Sequence, residues 1–164
     1  MIANVRIDER LIHGQVSTMW TNHLRADRIV VVDDAIVAND IEKEVLIMAK
    51  PTSVKLSILT VKGASMRMNN GQYQDERIFL IVKRPQTLAG LLSNHVKFDE
   101  INVGNMSSKL HSQQITKSIA VTDDDVSAFK EINSYGVKII AQMVPNDEKK
   151  DFIALLKGVI SSWN

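Results

Sequence analysis

Two unbroken apolar runs of strand length constrain the fold of this 164-residue chain more than any other feature. They lie within residues 28–32 and 77–83. A strand with apolar side chains on both faces is typical of a parallel sheet that helices cover on both sides. Strand-length apolar runs alternate with segments of helical periodicity along the whole chain. This pattern predicts a single three-layer α/β/α domain, residues 1–164, with a mostly parallel central sheet.

The periodicity predicts about seven strands and six helices. The predicted strands cover residues 2–7, 28–32, 54–61, 77–83, 100–103, 117–121 and 137–142. The predicted helices cover residues 14–23, 40–49, 63–70, 85–94 and 149–160, and a further helix begins after Thr122, which caps it. Residues 106–114 are polar and poorly periodic, which predicts a loop.

The composition excludes several classes of protein. The formal net charge is +1 and no long basic run is present, so nothing favours a nucleic-acid partner. The chain has no cysteine, which excludes disulfides, thiolate catalysis and cysteine-based zinc sites. No apolar run approaches the ~20 residues that a membrane-spanning helix needs, and no signal-peptide pattern precedes the first strand. We therefore expect a cytoplasmic protein that a partner would bring to any membrane.

A charged loop follows the first predicted strand and precedes the first predicted helix. It carries Arg6, Asp8, Arg10 and His13. Parallel sheets bind ligands beyond the carboxyl ends of their strands, which is where this loop should lie. A neutral imidazole nitrogen is a good phosphoryl acceptor, and guanidinium groups neutralise and orient phosphate oxygens. Our hypothesis is that His13 carries a phosphoryl group and that Arg6 and Arg10 hold it.

Other residues of this edge have predicted supporting roles. Asp8 would orient the imidazole or hold an arginine. The backbone N–H groups of Gly14 and Gln15 begin the following helix and add an anion site, and Gly14 lets the backbone come close to a ligand. Side chains that follow other strands are also candidates to approach His13: Asp33, Asp34, Lys83, Asn105 and Ser107.

The residues alone leave other interpretations open. A histidine at a strand–helix junction is commonly a capping or surface residue, and the nearby charges could be solvated. The pair Asp33-Asp34 with Lys83 suggests a receiver-like domain phosphorylated on aspartate, although a receiver's acidic pair follows its first strand. A regulatory module that binds a small anion without turnover is a third possibility. The glycine-rich phosphate-loop motifs are absent, which counts against a dinucleotide or P-loop enzyme.

A longer motif surrounds the same loop. The stretch Arg10-Leu11-Ile12-His13-Gly14-Gln15-Val16 is preceded by Arg6 and Asp8 and followed by Trp20. Further similarity lies in residues 29–34, in Asn39-Asp40 with Lys43, in residues 103–106 and in residues 136–145. On these residues the chain resembles, over essentially its whole length, the IIB subunit of the mannose/sorbose family of the bacterial sugar phosphotransferase system (PTS).

The resemblance implies a phosphotransferase that forms a covalent phosphohistidine and uses no cofactor or metal. His13 would accept a phosphoryl group on Nδ1 from a phosphohistidine of the IIA protein. It would pass the group to a sugar held by the membrane subunits IIC and IID during uptake. Arg10 matches the family's phosphate-contacting arginine, Arg6 and Asp8 match other members of the loop, and Lys43 matches a basic residue near the site. The sugar is not encoded in any residue that we can identify.

A carrier that meets several partners should have an apolar rim around its phosphorylated loop. Leu11, Ile12 and Met106 are apolar at positions where burial is not obvious from the sequence. We therefore expect Leu11 or Ile12 to be partly exposed. The remaining histidines are too scattered to suggest a metal site and are expected at the surface or at helix ends: His23, His95 and His111.

Overall fold

Strands and helices alternate along the chain in the predicted order. The computed structural model describes residues 1–163; Asn164, with which the predicted domain ends, lies outside the described residues. The strands are β1 (Ile2–Asp8), β2 (Arg28–Val32), β3 (Lys55–Leu59), β4 (Ile78–Val82), β5 (Glu100–Asn105), β6 (Gln113–Thr116), β7 (Ile119–Val121), β8 (Lys138–Ala141) and β9 (Lys150–Asp151). The helices are α1 (Gly14–Leu24), α2 (Asp34–Val37), α3 (Asp40–Ala49), α4 (Val61–Asn69), α5 (Pro85–Ser93), α6 (Asp123–Ser134) and α7 (Phe152–Val159), followed by a 3₁₀ turn, Ser161–Trp163.

The central sheet places β1 at its topological switch point. Within residues 1–163 its strand order is β3-β2-β4-β1-β5-β8-β9, and its neighbouring strands are parallel except β8 and β9. The chain first builds the sheet on one side of β1 and then adds β5 and β8 on the other. Ligands of such sheets bind in the crevice beyond the carboxyl ends of the strands at this point. The loop between β1 and α1 therefore occupies the expected position for a site.

Helices cover both faces of the sheet, which confirms the predicted three layers. Ile29 and Val31 pack into one core with α1, α2 and α3. Val30 and Val32 pack into the other core with α4, α5, α6 and α7. Successive side chains of a strand point to opposite faces, so a strand buried on both faces must be apolar throughout. No helix of residues 1–163 is long and apolar enough to cross a membrane.

Local capping explains where the predicted bounds were wrong. The prediction missed α2 because a single turn has too few residues to show periodicity, and the Asp33 side chain caps it by accepting from the Ile36 N–H at 3.0 Å. Helix α4 begins two residues before the predicted Gly63. The Thr60 hydroxyl caps it by accepting from the Gly63 N–H at 3.0 Å, so the preceding strand ends earlier than predicted.

Two short antiparallel pairings also differ from the prediction. The end of the predicted 106–114 loop belongs to β6, which pairs with β7 in a separate hairpin. The start of the predicted 149–160 helix belongs to β9, which pairs with β8, and α7 begins at Phe152. Strands of two to four residues carry too little alternation to be recognised in a sequence.

A charge cluster joins the first residues of β2 and β3 at the edge opposite the β1–α1 loop. Glu76 accepts hydrogen bonds from Arg28 Nε at 2.6 Å and from Lys55 Nζ at 3.3 Å. The hydrogen bond from Arg28, supported by Lys55, lowers the pKa of Glu76 from 4.5 to about 2. A carboxylate whose pKa is lower in the folded state stabilises the fold above its unfolded-state pKa and loses this contribution as the pH falls.

We expect Glu76→Gln to reduce the free energy of unfolding most above about pH 5, and the difference from wild type to vanish as the pH approaches about 2. The measurement is urea denaturation of both proteins across this pH range. Glu148→Gln serves as the control, since Glu148 is exposed and has no ion pair within the described part of the chain. A difference for Glu76→Gln that does not vary with pH would contradict this assignment.

Candidate active site in the β1–α1 loop

The loop between β1 and α1 is a tight turn with two left-handed residues. The Leu11 N–H donates to the Asp8 carbonyl at 2.9 Å, and Leu11 has a φ of +57°. Gly14 has a φ of +50°, with no atom of the described residues within 4 Å of the position of a Cβ. We predicted glycine here for close approach to a ligand, but its backbone angle is the observed requirement. His13 lies between these two residues at the N-cap of α1.

A chain of ion pairs connects the two arginines of the loop. Arg6 and Asp8 are each only 2% exposed, and Arg6 Nε and Nη2 both lie 3.4 Å from Asp8 Oδ2. The other oxygen, Asp8 Oδ1, accepts from the Arg10 N–H at 3.1 Å and from Arg10 Nε at 3.3 Å. Asp8 therefore holds an arginine on each carboxylate oxygen, which is one of the two roles predicted for it.

Backbone carbonyls after β8 complete the surroundings of Arg6. Its Nη1 donates to the Gln142 carbonyl at 3.0 Å and its Nη2 to the Met143 carbonyl at 3.1 Å. The guanidinium carbon lies 5.3 Å from the ring centroid of Trp20. A Cβ at Gly104 would lie 2.2 Å from that carbon, so only glycine leaves enough room. Burial lowers the pKa of Arg6, while the Asp8 carboxylate opposes the shift.

These contacts separate the roles of the two arginines. We predicted that Arg6 would hold the phosphate, but its guanidinium is enclosed and already bonded to Asp8 and two carbonyls. Arg10 is 41% exposed and uses Nε, Nη2 and its backbone N–H toward Asp8. It lines a shallow cleft of about 180 Å³ with Lys83 and Val45. Of the two, Arg10 has the geometry of an anion-binding group.

His13 is half-buried at the rim of this turn. Its backbone N–H donates to the Ser17 hydroxyl at 2.9 Å, and that hydroxyl donates back to the His13 carbonyl at 3.2 Å. The imidazole Nδ1 is enclosed and has no hydrogen-bond partner among residues 1–163. In the tautomer that carries its proton on Nε2, Nδ1 has a lone pair that no hydrogen bond within these residues occupies. Because it is enclosed, an incoming group reaches it only after the ring or the loop moves.

The other candidate residues lie at varying distances from this cluster. Gln15 is exposed on the first turn of α1. The contact described for Lys43 is an ion pair with Asp40 at 3.2 Å, one turn away on the same helix. Asp33 caps α2, and Asp34 Oδ1 accepts from the Val61 N–H at 2.8 Å. The acidic pair of the receiver-like alternative thus serves as helix caps.

Two of the residues that follow other strands do contact the loop. Asn105 is paired with Asp8 across β1 and β5, and its carbonyl accepts from the Glu9 N–H at 3.1 Å. The Ser107 N–H donates to the Glu9 carboxylate at 2.8 Å. Both contacts are to Glu9, and the approach of Asn105 and Ser107 to His13 stays a prediction.

The expected apolar rim at Leu11 and Ile12 is wrong. Leu11 is 4% exposed and Ile12 is 3% exposed, and both pack with Trp20 in the core beneath α1, α2 and α3. The left-handed turn at Leu11 directs both side chains inward. Met106 is also buried. Exposed apolar side chains on this face of the sheet lie on α1 and α3 instead: Met19, Ile41, Val45, Ile47 and Met48.

Sequence reasoning missed several contributors to the site. The carbonyls of Gln142 and Met143 act through the backbone, which carries no residue-type signal. Trp20 was named only as part of the motif, yet its Nε1 donates to the Met143 carbonyl that also accepts from Arg6, at 2.9 Å. Glu9 was not singled out, although an acidic residue between two site residues was a detectable signal. Gly104, which directly follows the predicted strand 100–103 and lies within β5, offered a similar one.

A comparison with protein-family models identifies the family of this chain. The model described as "PTS system sorbose subfamily IIB component" matches residues 2–161. The chain belongs to this family. IIB components of the PTS are phosphotransferases that work with IIA and with the membrane proteins IIC and IID.

Individual relatives cover nearly the whole chain. A PTS sorbose-specific EIIB component from Lacticaseibacillus casei is 35% identical, with 97% of each chain covered. A PTS mannose-specific EIIAB component from Escherichia coli K12 is 32% identical over 97% of this chain and 49% of its own length. The crystal structure of the IIBSor domain of the sorbose permease from Klebsiella pneumoniae superposes with a TM-score of 0.92 at 29% identity, covering 96% of this chain and 97% of that one.

We expect Gly104→Ala to lower the free energy of unfolding by about 1–3 kcal/mol, because the new methyl group must displace the buried Arg6 guanidinium. The measurement is chemical denaturation. Gly158→Ala is the matched control: Gly158 is an exposed residue of α7 with no atom of the described residues near its Cβ position. That variant should gain roughly 0.5–1 kcal/mol from helix propensity. Equal effects of the two substitutions would contradict the close contact.

We expect Asp8→Asn to destabilise the fold by about 3–5 kcal/mol, because it leaves the buried Arg6 cation without its charge partner. Arg10→Ala removes a partly exposed member of the same chain of ion pairs and should cost less than about 1 kcal/mol. Denaturation of both variants in parallel measures the contrast. A small loss for Asp8→Asn would mean that Gln142 and Met143 suffice to hold Arg6.

Proposed function

We propose that His13 is the phosphoryl acceptor of this IIB component. It takes the group from a phosphohistidine of IIA and transfers it to a sugar held by IIC and IID. The observation that carries this proposal is the anchored Arg10: its guanidinium is fixed by the buried Asp8 and open to solvent within the turn that bears His13. The family's phosphotransferase activity requires such an acceptor beside a fixed cation.

In the first step a His13 ring nitrogen attacks the phosphorus atom on the donor. The new P–N bond forms as the donor's P–N bond breaks, and the donor imidazole leaves with the electron pair. Arg10 neutralises the oxygens of the transferring group, and the N–H groups of Gly14 and Gln15, which begin α1, would add donors at the positive end of the helix dipole. Attack by Nδ1, which the family resemblance implies, requires the ring to turn from its enclosed position.

In the second step a sugar hydroxyl oxygen attacks the phosphorus atom, and the bond between phosphorus and His13 breaks. The electron pair of that bond returns to the imidazole, and the hydroxyl proton passes to a base or to water. Holding the imidazole and the guanidinium on one rigid turn lowers the entropy cost of both steps. Asp8 supplies the rigidity and Arg6 fixes Asp8, so these two residues act through Arg10 rather than on the phosphate.

Partners and location follow from the same proposal. The relative from E. coli K12 is named an EIIAB component, which supports a IIA protein as the phosphoryl donor. Transfer to a sugar held by IIC and IID would recruit the chain from the cytoplasm to the inner face of the membrane. Lys43 remains a predicted contributor of positive charge near the site.

A phosphorelay assay tests the acceptor. Wild type, His13→Gln and His23→Gln would each be incubated with labelled phosphoenolpyruvate, the general PTS carriers and a matching IIA. We expect acid-labile, base-stable label on wild type and His23→Gln and none on His13→Gln, because His23 is an exposed histidine on α1 outside the turn. Label on another residue, or an unlabelled wild type that still binds phosphate, would overturn the proposal; the second result is expected of an anion-binding module without turnover.

A further inference from the structure

The carboxylate of Glu9 joins three loops at the carboxyl edge of the sheet. It lies 2.6 Å from Arg84 Nη2, in the loop after β4, and 3.0 Å from Lys109 Nζ, after β5. It also accepts from the Ser107 N–H at 2.8 Å and from the Ser107 hydroxyl. Only 17% of the Glu9 side chain is exposed. The mechanism above assigns nothing to this residue, although it lies between two members of the site.

Glu9 and Asp8 hold the turn from opposite faces of the sheet. Asp8 is the last residue of β1 and Glu9 is the first residue after it, and their carboxylates have different partners. Asp8 faces the side of α1, where Arg6 contacts Trp20. Glu9 faces the side on which α5 and α6 begin, where Arg84 is the N-cap of α5. The backbone of the turn is therefore fixed on both sides as soon as the chain leaves β1.

Arg84, which pairs with Glu9, is itself held in place by a second carboxylate. Arg84 Nη1 donates to Asp125 Oδ2 at 3.1 Å, and Asp125 is nearly fully buried. Asp125 also accepts from Gln86 Nε2 at 2.9 Å and from the Thr122 N–H at 3.0 Å in the capping box of α6. Glu9 is thus tied to the framework of the fold, and the bond is not a flexible surface pair.

The same contacts determine the charge around Arg10. Glu9 is its immediate neighbour, and a mobile carboxylate there would compete with an incoming phosphoryl group for the guanidinium. Arg84 and Lys109 instead draw the Glu9 carboxylate away and neutralise it. Asp8 then orients Arg10, while Glu9 leaves the outer edge of the Arg10 guanidinium open.

We propose that Glu9 is a positioning residue for phosphoryl transfer. Its carboxylate clamps the β1–α1 turn to the loops that follow β4 and β5, and this fixes Arg10 and His13 relative to each other. The proposal rests on the function proposed above. Loss of the clamp would leave docking of the donor intact but would loosen the reacting groups, and misplacement by about 1 Å can slow a reaction as much as 100-fold.

The test compares Glu9→Ala and Glu9→Gln with Glu76→Ala. Glu76 is a suitable control because it also pairs with two cations, Arg28 and Lys55, but lies at the opposite edge of the sheet. For Glu9→Ala we expect kcat for transfer from phosphorylated IIA to fall roughly 10-fold or more, with KM within about twofold. Glu9→Gln should be intermediate, since its amide oxygen still accepts from Ser107. Glu76→Ala should lose thermal stability without slowing transfer.

Amide hydrogen exchange gives a readout that does not depend on catalysis. Exchange across residues 9–14 should be faster in Glu9→Ala and Glu9→Gln than in wild type, and unchanged in Glu76→Ala. If Glu9→Ala only lowers the melting temperature, with kcat and exchange in the turn unchanged, the proposed positioning role of Glu9 is wrong. The proposal that His13 accepts the phosphoryl group is not affected by that result. If wild type takes up no label at His13, the proposed function fails and with it any role of Glu9 in transfer.

Discussion

The buried ion pair between Arg6 and Asp8 is the interaction on which the site depends. A guanidinium that is 2% exposed is tolerable only when its donors are bonded, because desolvating an unpaired charge costs several kcal/mol. Asp8 supplies the countercharge, and two carbonyls after β8 take further donors. The second oxygen of Asp8 remains for Arg10. The Asp8 carboxylate therefore fixes the position of Arg10, a partly exposed cation of the loop, relative to the buried Arg6.

The position of β1 in the sheet determines which loops surround this ion pair. Because β1 has β4 on one side and β5 on the other, the loop at its end is flanked by the loops that follow both neighbours. The α/β architecture alone would allow many chemistries at this edge. A phosphocarrier has to expose its reacting groups to two successive partners and still keep them in register. Buried anchors beneath a half-buried histidine and a partly exposed arginine suit both demands.

The fold was largely predictable because its determinants are side-chain patterns. The apolar runs of β2 and β4 indicate burial on both faces, and the capping residue Thr122 marks the start of α6. The site was predictable to the level of the loop, since its motif concentrates charged residues at the end of β1. The separate roles of Arg6 and Arg10 were not, because burial of Arg6 depends on carbonyls more than 130 positions away in the sequence. The burial of Leu11 and Ile12 was not predictable either, because it depends on a positive φ at Leu11, which a leucine in the sequence does not indicate.

The contact between Arg6 and the carbonyl of Met143 spans 137 positions. A ribosome delivers the first strand long before it delivers this acceptor, so a nascent chain carries the Arg6 cation for most of its synthesis without the group that encloses it. The motif is therefore finished only when the segment that follows β8 has emerged and docked. An incomplete translation product would contain the signature residues but not the pocket that gives them their geometry.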